Sequence, residues 1–229
     1  MTSRPKTDRH SHILPGVDDG FRNTDQSLAA LQRMSGEGWR NFVLTPHINK
    51  ELFPGTDEAL VKDTYFAFKA AIPKEWDIKT TLAAEYMCGE GFERRVAENP
   101  ETLLCNDEGC CLIEMSYYYR SNNFEDAIFE LGQAGITPVI SHPERYPYMV
   151  DRIKDIEHWC DMGARLQLNW MSLSGVYGPE SQTILKTLLT SGLYSYVVSD
   201  LHSLHQLDHI LDIRVKSKYM TFLEKIIGE

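Results

Sequence analysis

Short apolar runs alternate with segments of helical periodicity along the whole chain. The apolar runs that predict buried strands lie at 41–44, 78–84, 110–113, 136–140, 165–168 and 196–198. Apolar positions three or four residues apart predict helices at 24–36, 57–71, 123–134, 149–162, 179–192 and 206–227. With a further strand just before His10, the pattern gives seven strands, each followed by a helix or a loop.

This alternation predicts an α/β fold with a parallel sheet. Histidines and acidic residues follow nearly every predicted strand. In an open, doubly wound sheet such residues would concentrate at one crevice, whereas the strand ends of a closed barrel all meet at one mouth. We therefore predict a TIM-like barrel of seven βα units, formed by residues 1–229 as a single domain without a linker.

The composition narrows the class of protein. The 229 residues are 42% hydrophobic and carry a net charge of −10, which argues against nucleic acid as the main partner. All apolar runs are shorter than a membrane span, and residues 1–6 lack the apolar stretch of a signal peptide, so we expect a cytoplasmic protein. The five cysteines show no framework spacing and are expected to be reduced.

Side chains that bind divalent cations follow the predicted strands. His10 and His12 are separated by one residue, so on an extended segment both imidazoles point to the same side and can reach one ion. The other residues in such positions are His47, His142, Asp200 and His202. Taken singly, each is also explained as a buried, hydrogen-bonded histidine or a strand-end cap. Their shared position after apolar runs favours a hydrolytic centre with more than one metal ion.

Acidic residues occur in the same kind of position. Glu85 and Glu114 end apolar runs, and a carboxylate there is costly to bury unless it is paired or bound to metal. Asp19 lies in an acidic turn, 16–20, that is either solvated or a source of ligands, and Asp8 is either a ligand or a residue that orients one. Imidazole and carboxylate ligands suit Zn, Mn or Fe.

Six segments between Asp8 and His202 carry these residues: HSHILPGVDDG, TPH, AAE, LIE, SHPER and SDLH. Their order resembles the PHP (polymerase and histidinol phosphatase) superfamily. More narrowly, the chain is similar to the bacterial capsule-locus protein-tyrosine phosphatases of the CpsB/YwqE type. The resemblance implies a distorted (β/α)7 barrel and a site for three divalent cations, usually manganese, with iron, zinc or magnesium as alternatives.

The resemblance also implies a role for individual residues. One ion would be held by His10, His12, Glu85 and Asp200. A second would be held by Glu85, Glu114 and His142, and a third by Asp19, His47 and His202. Arg145 would bind the phosphate of the substrate, and His142 and Asp200 would be catalytic together with it.

This assignment agrees with general phosphoryl chemistry. A hydroxide that bridges two cations exists near neutral pH because metals lower the pKa of water. It would attack phosphorus in line, while the cations and Arg145 neutralise charge on the phosphate oxygens. A phenolate, with a pKa of about 10, leaves readily without a strong general acid. The chemistry therefore suits phosphotyrosine better than phosphoserine.

The chain departs from the family pattern at the last motif. The family usually follows its final Asp-x-His with an Asn and a second phosphate-binding arginine, whereas residues 203–207 here are SLHQL and no arginine occurs before Arg214. The candidates to replace that arginine are Arg22, Lys50, Arg120 and His205. Tyr117 either lines the mouth and stacks on a phenyl ring or has a core or surface role.

We therefore predict a metal-dependent protein-tyrosine phosphatase. By resemblance, its partner would be the tail of a bacterial tyrosine kinase that controls capsule or exopolysaccharide export. The alternatives are another PHP phosphoesterase, acting on histidinol phosphate or a nucleotide, and a metal-stabilised binding protein without catalysis. A cysteine-dependent mechanism through Cys88 and Arg94 is disfavoured, because Glu90 and Glu93 would oppose both a thiolate and a phosphate. The sequence indicates no oligomeric state.

Overall fold

In the computed structural model, residues 5–227 are described, and strands alternate with helices throughout this range. The strands are Thr7–Ser11 (β1), Asn41–Leu44 (β2), His47–Ile48 (β3), Lys79–Leu82 (β4), Glu85–Met87 (β5), Cys110–Glu114 (β6), Thr137–Ile140 (β7), Arg165–Asn169 (β8) and Tyr194–Val198 (β9). The α-helices are Thr24–Gly36 (α1), Glu58–Ala71 (α2), Phe92–Glu98 (α3), Phe124–Gln133 (α4), Ile153–Asp161 (α5), Gly178–Thr190 (α6), Leu204–Asp212 (α7) and Ser217–Ile227 (α8).

The strands form two parallel sheets that share two stretches of chain. One sheet has the order β1-β2-β4 and the other has the order β3-β5-β6-β7-β8-β9. Residues 41–48 contribute β2 to the first sheet and β3 to the second, and residues 79–87 contribute β4 and β5 in the same way. The nine strands therefore follow seven paths, as the sequence predicts.

Backbone contacts between the first and last paths close the barrel. Ser11 forms a parallel bridge with Leu201. The amide of His12 donates to the Leu201 carbonyl at 2.9 Å, and the amide of Asp200 donates to the His10 carbonyl at 2.9 Å. The predicted distorted (β/α)7 barrel is thereby confirmed, with its irregularity at the two breaks between sheets.

Several predicted elements differ from the structure in their bounds. The predicted helix 206–227 is two helices, α7 and α8, separated by residues 213–216. The predicted helix 149–162 begins only at Ile153, because a 3₁₀ turn over Pro147–Met149 precedes it. Helix α3 is absent from the predicted elements, and α1 is capped by the Asn23 side chain, which accepts from the Gln26 amide.

The hydrophobic core lies mainly between the strands and the surrounding helices, where Phe42, Ile113 and Leu166 of the strands are buried. A small separate cluster contains Cys110, Leu112 and Val139. Because side chains alternate along β6, Cys110 and Leu112 share a face with Glu114. This small cluster therefore underlies the side of the strand that presents Glu114 at the barrel mouth. No helix within residues 5–227 combines the length and apolarity needed to cross a membrane.

Asp8 reinforces the closure of the barrel from within. Its carboxylate is fully buried and accepts hydrogen bonds from the Ser199 amide at 2.9 Å and the Ser199 hydroxyl at 2.6 Å. Burial raises the pKa of Asp8 to about 6, against the opposing effect of these hydrogen bonds. Of the two roles considered for Asp8, the contacts fit the orienting one, since it fixes the segment that carries Asp200.

We expect Asp8→Ala to lower the free energy of unfolding by about 2–4 kcal/mol, because two buried donors of Ser199 lose their acceptor. Asp8→Asn is the matched control, since an amide of the same shape can accept from the Ser199 amide and donate to its hydroxyl. Urea unfolding measures both variants. Equal losses for the two would show that the hydrogen bonds to Ser199 are not what stabilises the closure.

Candidate metal centre

The C-terminal ends of the strands bring the predicted ligands to one side of the barrel. At the centre, the Nε2 atoms of His10 and His12 lie 3.2 and 3.3 Å from Oε2 of Glu85. The same two nitrogens lie 3.3 and 3.5 Å from Oδ1 of Asp200. These four side chains are buried, and one ligand atom of each lies within 4.8 Å of the others, which is close enough for a single cation.

Two further groups of imidazoles and carboxylates adjoin the central one. His47 Nδ1 lies 3.2 Å from Glu85 Oε2 and 3.0 Å from Glu114 Oε1. The third group consists of His12, Asp19, His47 and His202. In this group Asp19 Oδ1 lies 3.7 Å from His47 Nε2 and 3.6 Å from His202 Nε2.

The grouping differs in two respects from that implied by the resemblance, and the first is that His12 joins Asp19, His47 and His202 in the third group. The second is that His47, rather than His142, lies with Glu85 and Glu114 in the second group. His142 is nevertheless adjacent, with its Nε2 atom 3.4 Å from Oε1 of Glu85. All nine predicted ligands therefore lie at the barrel mouth in contact with the same cluster.

Several buried ligand atoms in this cluster have no hydrogen-bond partner within the described chain. They are Oε1 of Glu85, Nδ1 of His142 and Oδ1 of Asp200. Leaving buried polar atoms unsatisfied is costly, and carboxylates gathered without cationic partners repel one another. The donor set therefore fits divalent cations, which would satisfy these atoms and offset the negative charge.

The pKa values follow from this crowding of charge. Burial and His12 act to lower the pKa of His47, but the carboxylates of Glu114 and Glu85 outweigh them and raise it to about 9. Burial would raise the pKa of Asp18, but the imidazoles of His12 and His47 lower it to about 2. The carboxylates therefore favour positive charge on His47, and the imidazoles favour negative charge on Asp18.

Residues outside the nine predicted ligands orient the imidazoles and carboxylates of the cluster. Gln167 Oε1 lies 3.0 Å from His10 Nδ1, and Asp18 Oδ2 lies 2.7 Å from His12 Nδ1, so the Nε2 atoms of both rings face the cluster. Asn169 Nδ2 donates to Asp200 Oδ2 at 2.7 Å. Such outer contacts fix ring orientation at metal sites. Gln167 and Asn169 lie two residues apart on β8, a spacing that places both on one face but gives no metal signature by itself.

The backbone is strained at two of the candidate ligands. His142 has φ 32° and Asp200 has φ 50°, and both residues lie in the left-handed region that side chains other than glycine rarely adopt. Each follows the end of a strand, β7 and β9 respectively. Strain of this kind persists where the surrounding structure fixes a functional geometry. Here it turns each side chain back over the end of the barrel.

Gly20 is required by a close approach to His12. A Cβ atom at this position would lie 2.2 Å from the His12 carbonyl oxygen and 2.6 Å from the His12 Cβ. The Gly20 amide also donates to Asp18 Oδ1 at 2.9 Å. The acidic turn 16–20 therefore packs directly on a candidate ligand, which supports the metal interpretation of the turn over a freely solvated one.

A cavity of about 950 Å³ opens above the cluster. Arg145, Tyr117 and Tyr177 line it beside Asp200 and His202. Arg120 lines it too, but its guanidinium is paired with Glu125 at 2.5 Å and with Asp155 at 3.6 Å.

The other candidates for a second phosphate-binding cation lie outside this cavity. The Arg22 side chain is exposed and is not among the lining residues, so the structure gives no support to its predicted contact with substrate. The Lys50 ammonium donates to the Thr56 carbonyl at 3.1 Å, and His205 pairs with His209 at 3.2 Å on α7. Neither of these two residues lines the cavity.

Cys88 lies at the edge of the same cavity but is fully buried. Burial, together with the carboxylates of Glu114 and Glu93, holds the pKa of its thiol well above the usual value. Arg94 is exposed to solvent. A protonated, buried thiol is a poor nucleophile, which agrees with the low weight given to a cysteine mechanism.

A comparison with protein-family models places the chain. The model described as capsular polysaccharide synthesis, CpsB/CapC, matches residues 6–216. The chain belongs to the CpsB/CapC family. The resemblance found from the sequence is thereby confirmed.

Curated relatives of this CpsB/CapC chain carry the name of one activity. The chain is 30% identical over 203 residues to the tyrosine-protein phosphatase CpsB of Streptococcus pneumoniae, a match that covers 86% of this chain and 83% of that protein. It is 26% identical over 196 residues to the tyrosine-protein phosphatase YwqE of Bacillus subtilis, with 86% and 77% covered.

A solved structure has the same fold. Crystal structures of YwqE from Bacillus subtilis and CpsB from Streptococcus pneumoniae, described as unique metal-dependent tyrosine phosphatases, match with a TM-score of 0.78. The identity is 24%, and the match covers 97% of this chain and 92% of that one. The CpsB/CapC barrel therefore extends over nearly the whole chain.

We expect Gly20→Ala to displace His12 and to lower the free energy of unfolding by about 3 kcal/mol, because the new methyl group overlaps backbone rather than a flexible side chain. The variant should also retain less divalent cation, as measured by elemental analysis alongside thermal unfolding. Gly89→Ala, in a cavity loop with nothing within 4 Å of the added Cβ, is the control. Wild-type cation content and stability in Gly20→Ala would contradict the packing argument.

Proposed function

We propose that this chain is a metal-dependent protein-tyrosine phosphatase. The observation that carries the proposal is the cluster of buried imidazoles and carboxylates with unsatisfied ligand atoms, which lies in contact with an arginine at the base of a cavity. Two curated relatives are named as tyrosine-protein phosphatases, and the chain covers more than three quarters of each. Hydrolysis of a phosphate ester is assisted by bound cations and by a fixed positive side chain. The cluster can bind the cations, and Arg145 is the positive side chain.

The metal ligands we propose are the nine side chains at the barrel mouth. They are His10, His12, Asp19, His47, Glu85, Glu114, His142, Asp200 and His202. We propose three ions, with manganese first and iron, zinc or magnesium as alternatives, since a site of nitrogen and oxygen donors suits all but the softest metals. When bound, the cations lower the pKa of water and offset negative charge on a phosphate.

The side chains around the ions have separate tasks. Arg145 binds the phosphate, because its planar guanidinium can donate to two oxygens at once. Asp200 fixes that guanidinium through its Oδ2 atom, which accepts from Arg145 Nη1 at 2.6 Å, while its Oδ1 atom remains directed at the imidazoles. Tyr117 adds an aromatic surface beside the phosphate position, against which a substrate ring can pack.

The physiological substrate we propose is a phosphotyrosyl protein, in particular the tail of a bacterial tyrosine kinase in capsule or exopolysaccharide synthesis. The family description of capsular polysaccharide synthesis supports this pathway. A cytoplasmic location is consistent with such a partner. The open cavity of about 950 Å³ is far larger than a phosphophenyl group, which suits an ester presented on a protein chain better than a small phosphate monoester.

Removal of metal tests the proposal most directly. We expect hydrolysis of a phosphotyrosyl peptide to fall to the uncatalysed rate after treatment with a chelator, and to return on addition of Mn²⁺. The unfolding temperature should fall in parallel, because ions that bind only the folded state stabilise it. The assay is phosphate release, with metal content determined in the same samples. Full activity in protein shown to be free of metal would exclude the proposed mechanism.

Two variants separate the metal mechanism from a cysteine mechanism. We expect His142→Ala to lower kcat/KM by at least about a hundredfold, since loss of even an outer partner at metal sites costs 10- to 100-fold. Cys88→Ala should retain activity within a few fold, because that thiol is buried and protonated. Steady-state kinetics with a phosphotyrosyl peptide, at saturating Mn²⁺, checks both. The reverse ranking would assign the chemistry to the cysteine.

A further inference from the structure

Two tyrosine rings flank the guanidinium of Arg145. The Arg145 Cζ atom lies 4.7 Å from the ring centroid of Tyr117 and 4.4 Å from that of Tyr177. Both distances are within the range in which a cation is attracted to an aromatic face. Tyr117 comes from the loop after β6, and Tyr177 comes from the loop between β8 and α6, so the two rings reach Arg145 from different parts of the barrel.

The loop that carries Tyr177 is shaped for this position. Gly175 and Gly178 stand on either side of it with φ 87° and 92°, a conformation that favours glycine. Asn169 donates to Asp200 Oδ2 at 2.7 Å, the same oxygen that receives Arg145 Nη1. Tyr177 contacts Arg145 through its ring.

The orientation of Arg145 matters because it contacts the candidate ligand cluster itself. Among the lysines and arginines in residues 5–227, Arg120 also lines the cavity, but Glu125 and Asp155 already take up its guanidinium. One guanidinium nitrogen of Arg145, Nη1, donates to Asp200. The other N–H groups are available to a ligand in the cavity. A side chain with four rotatable bonds would lose much entropy on binding unless something held it in place.

We propose that Tyr177 is a positioning residue, whose ring holds the Arg145 guanidinium in the orientation that binds the substrate phosphate. Together with Tyr117 it restricts the rotation of the guanidinium plane, while Asp200 fixes one end of that plane. A ring that stacks on the face of a guanidinium leaves the N–H edge free, and phosphate oxygens bind that edge. The role rests on the proposed phosphatase function only in that the bound anion is a phosphate ester.

The test uses the Mn²⁺-loaded protein and inorganic phosphate as the probe, measured by titration calorimetry. We expect Tyr177→Ala to weaken phosphate binding roughly tenfold, since a partly buried cation–π contact is worth about one factor of ten. The KM for a phosphotyrosyl peptide should rise by a similar factor, with a smaller change in kcat. Tyr177→Phe keeps the ring and should stay within about twofold of wild type. Metal content should be unchanged in both variants.

A double-mutant comparison shows whether Tyr177 acts through Arg145. In an Arg145→Ala background, Tyr177→Ala should cause no further loss of phosphate affinity. A separate loss there would mean that Tyr177 contacts the anion itself, which would overturn the positioning role. Equal losses for Tyr177→Phe and Tyr177→Ala would also overturn it, by assigning the effect to the hydroxyl.

Failure of this inference differs from failure of the proposed function. Unchanged phosphate affinity in Tyr177→Ala, with the peptide still hydrolysed, would remove the positioning role and leave the phosphatase in place. A wild-type protein that binds phosphate with the expected dependence on Tyr177, but hydrolyses no phosphotyrosyl peptide, would keep the positioning role and remove the phosphatase.

Discussion

The structure depends on a buried cluster of acidic side chains at the mouth of the barrel. Glu85, Glu114 and Asp200 are buried together at the end of the barrel among several imidazoles, and Asp200 is also paired with Arg145. Burying such a cluster without counter-ions destabilises the fold, whereas burying it around multivalent cations is favourable. The arrangement therefore favours the binding of cations. The pKa of His47 is raised because the carboxylates of Glu114 and Glu85 lie beside it.

The surrounding fold can be understood as support for this cluster. Asp200 and His142 are held in a left-handed backbone conformation that most side chains avoid, and Gly20 brings its backbone against His12 with no room for a methyl group. Barrel closure through Ser11 and Leu201 brings the two ends of the ligand sequence together. The closed barrel around these residues stabilises their strained backbone conformations.

Sequence reasoning succeeded where chemistry and periodicity coincide. Histidines and acids that end apolar runs were predicted to meet, and they lie together, because parallel strands in a barrel must finish at the same rim. The roles of Gln167, Asn169 and Tyr177 could not be predicted, because they depend on contacts that form only in the closed barrel. An amide or a phenol in a strand or loop does not indicate which distant residues it contacts. Arg22 was one of several candidates to contact the substrate phosphate, and its charge alone does not indicate that its side chain is exposed away from the cavity.

The break of two strand paths between the sheets has a mechanical consequence. His10 and His12 belong to the three-stranded sheet or its end, whereas Glu85 and Glu114 belong to the six-stranded one. Any ion shared by these side chains is a cross-link over the seam between the sheets. Bound metal would then stabilise the barrel by joining the three-stranded sheet to the six-stranded one. Loss of the ions would allow the two sheets to separate along this seam.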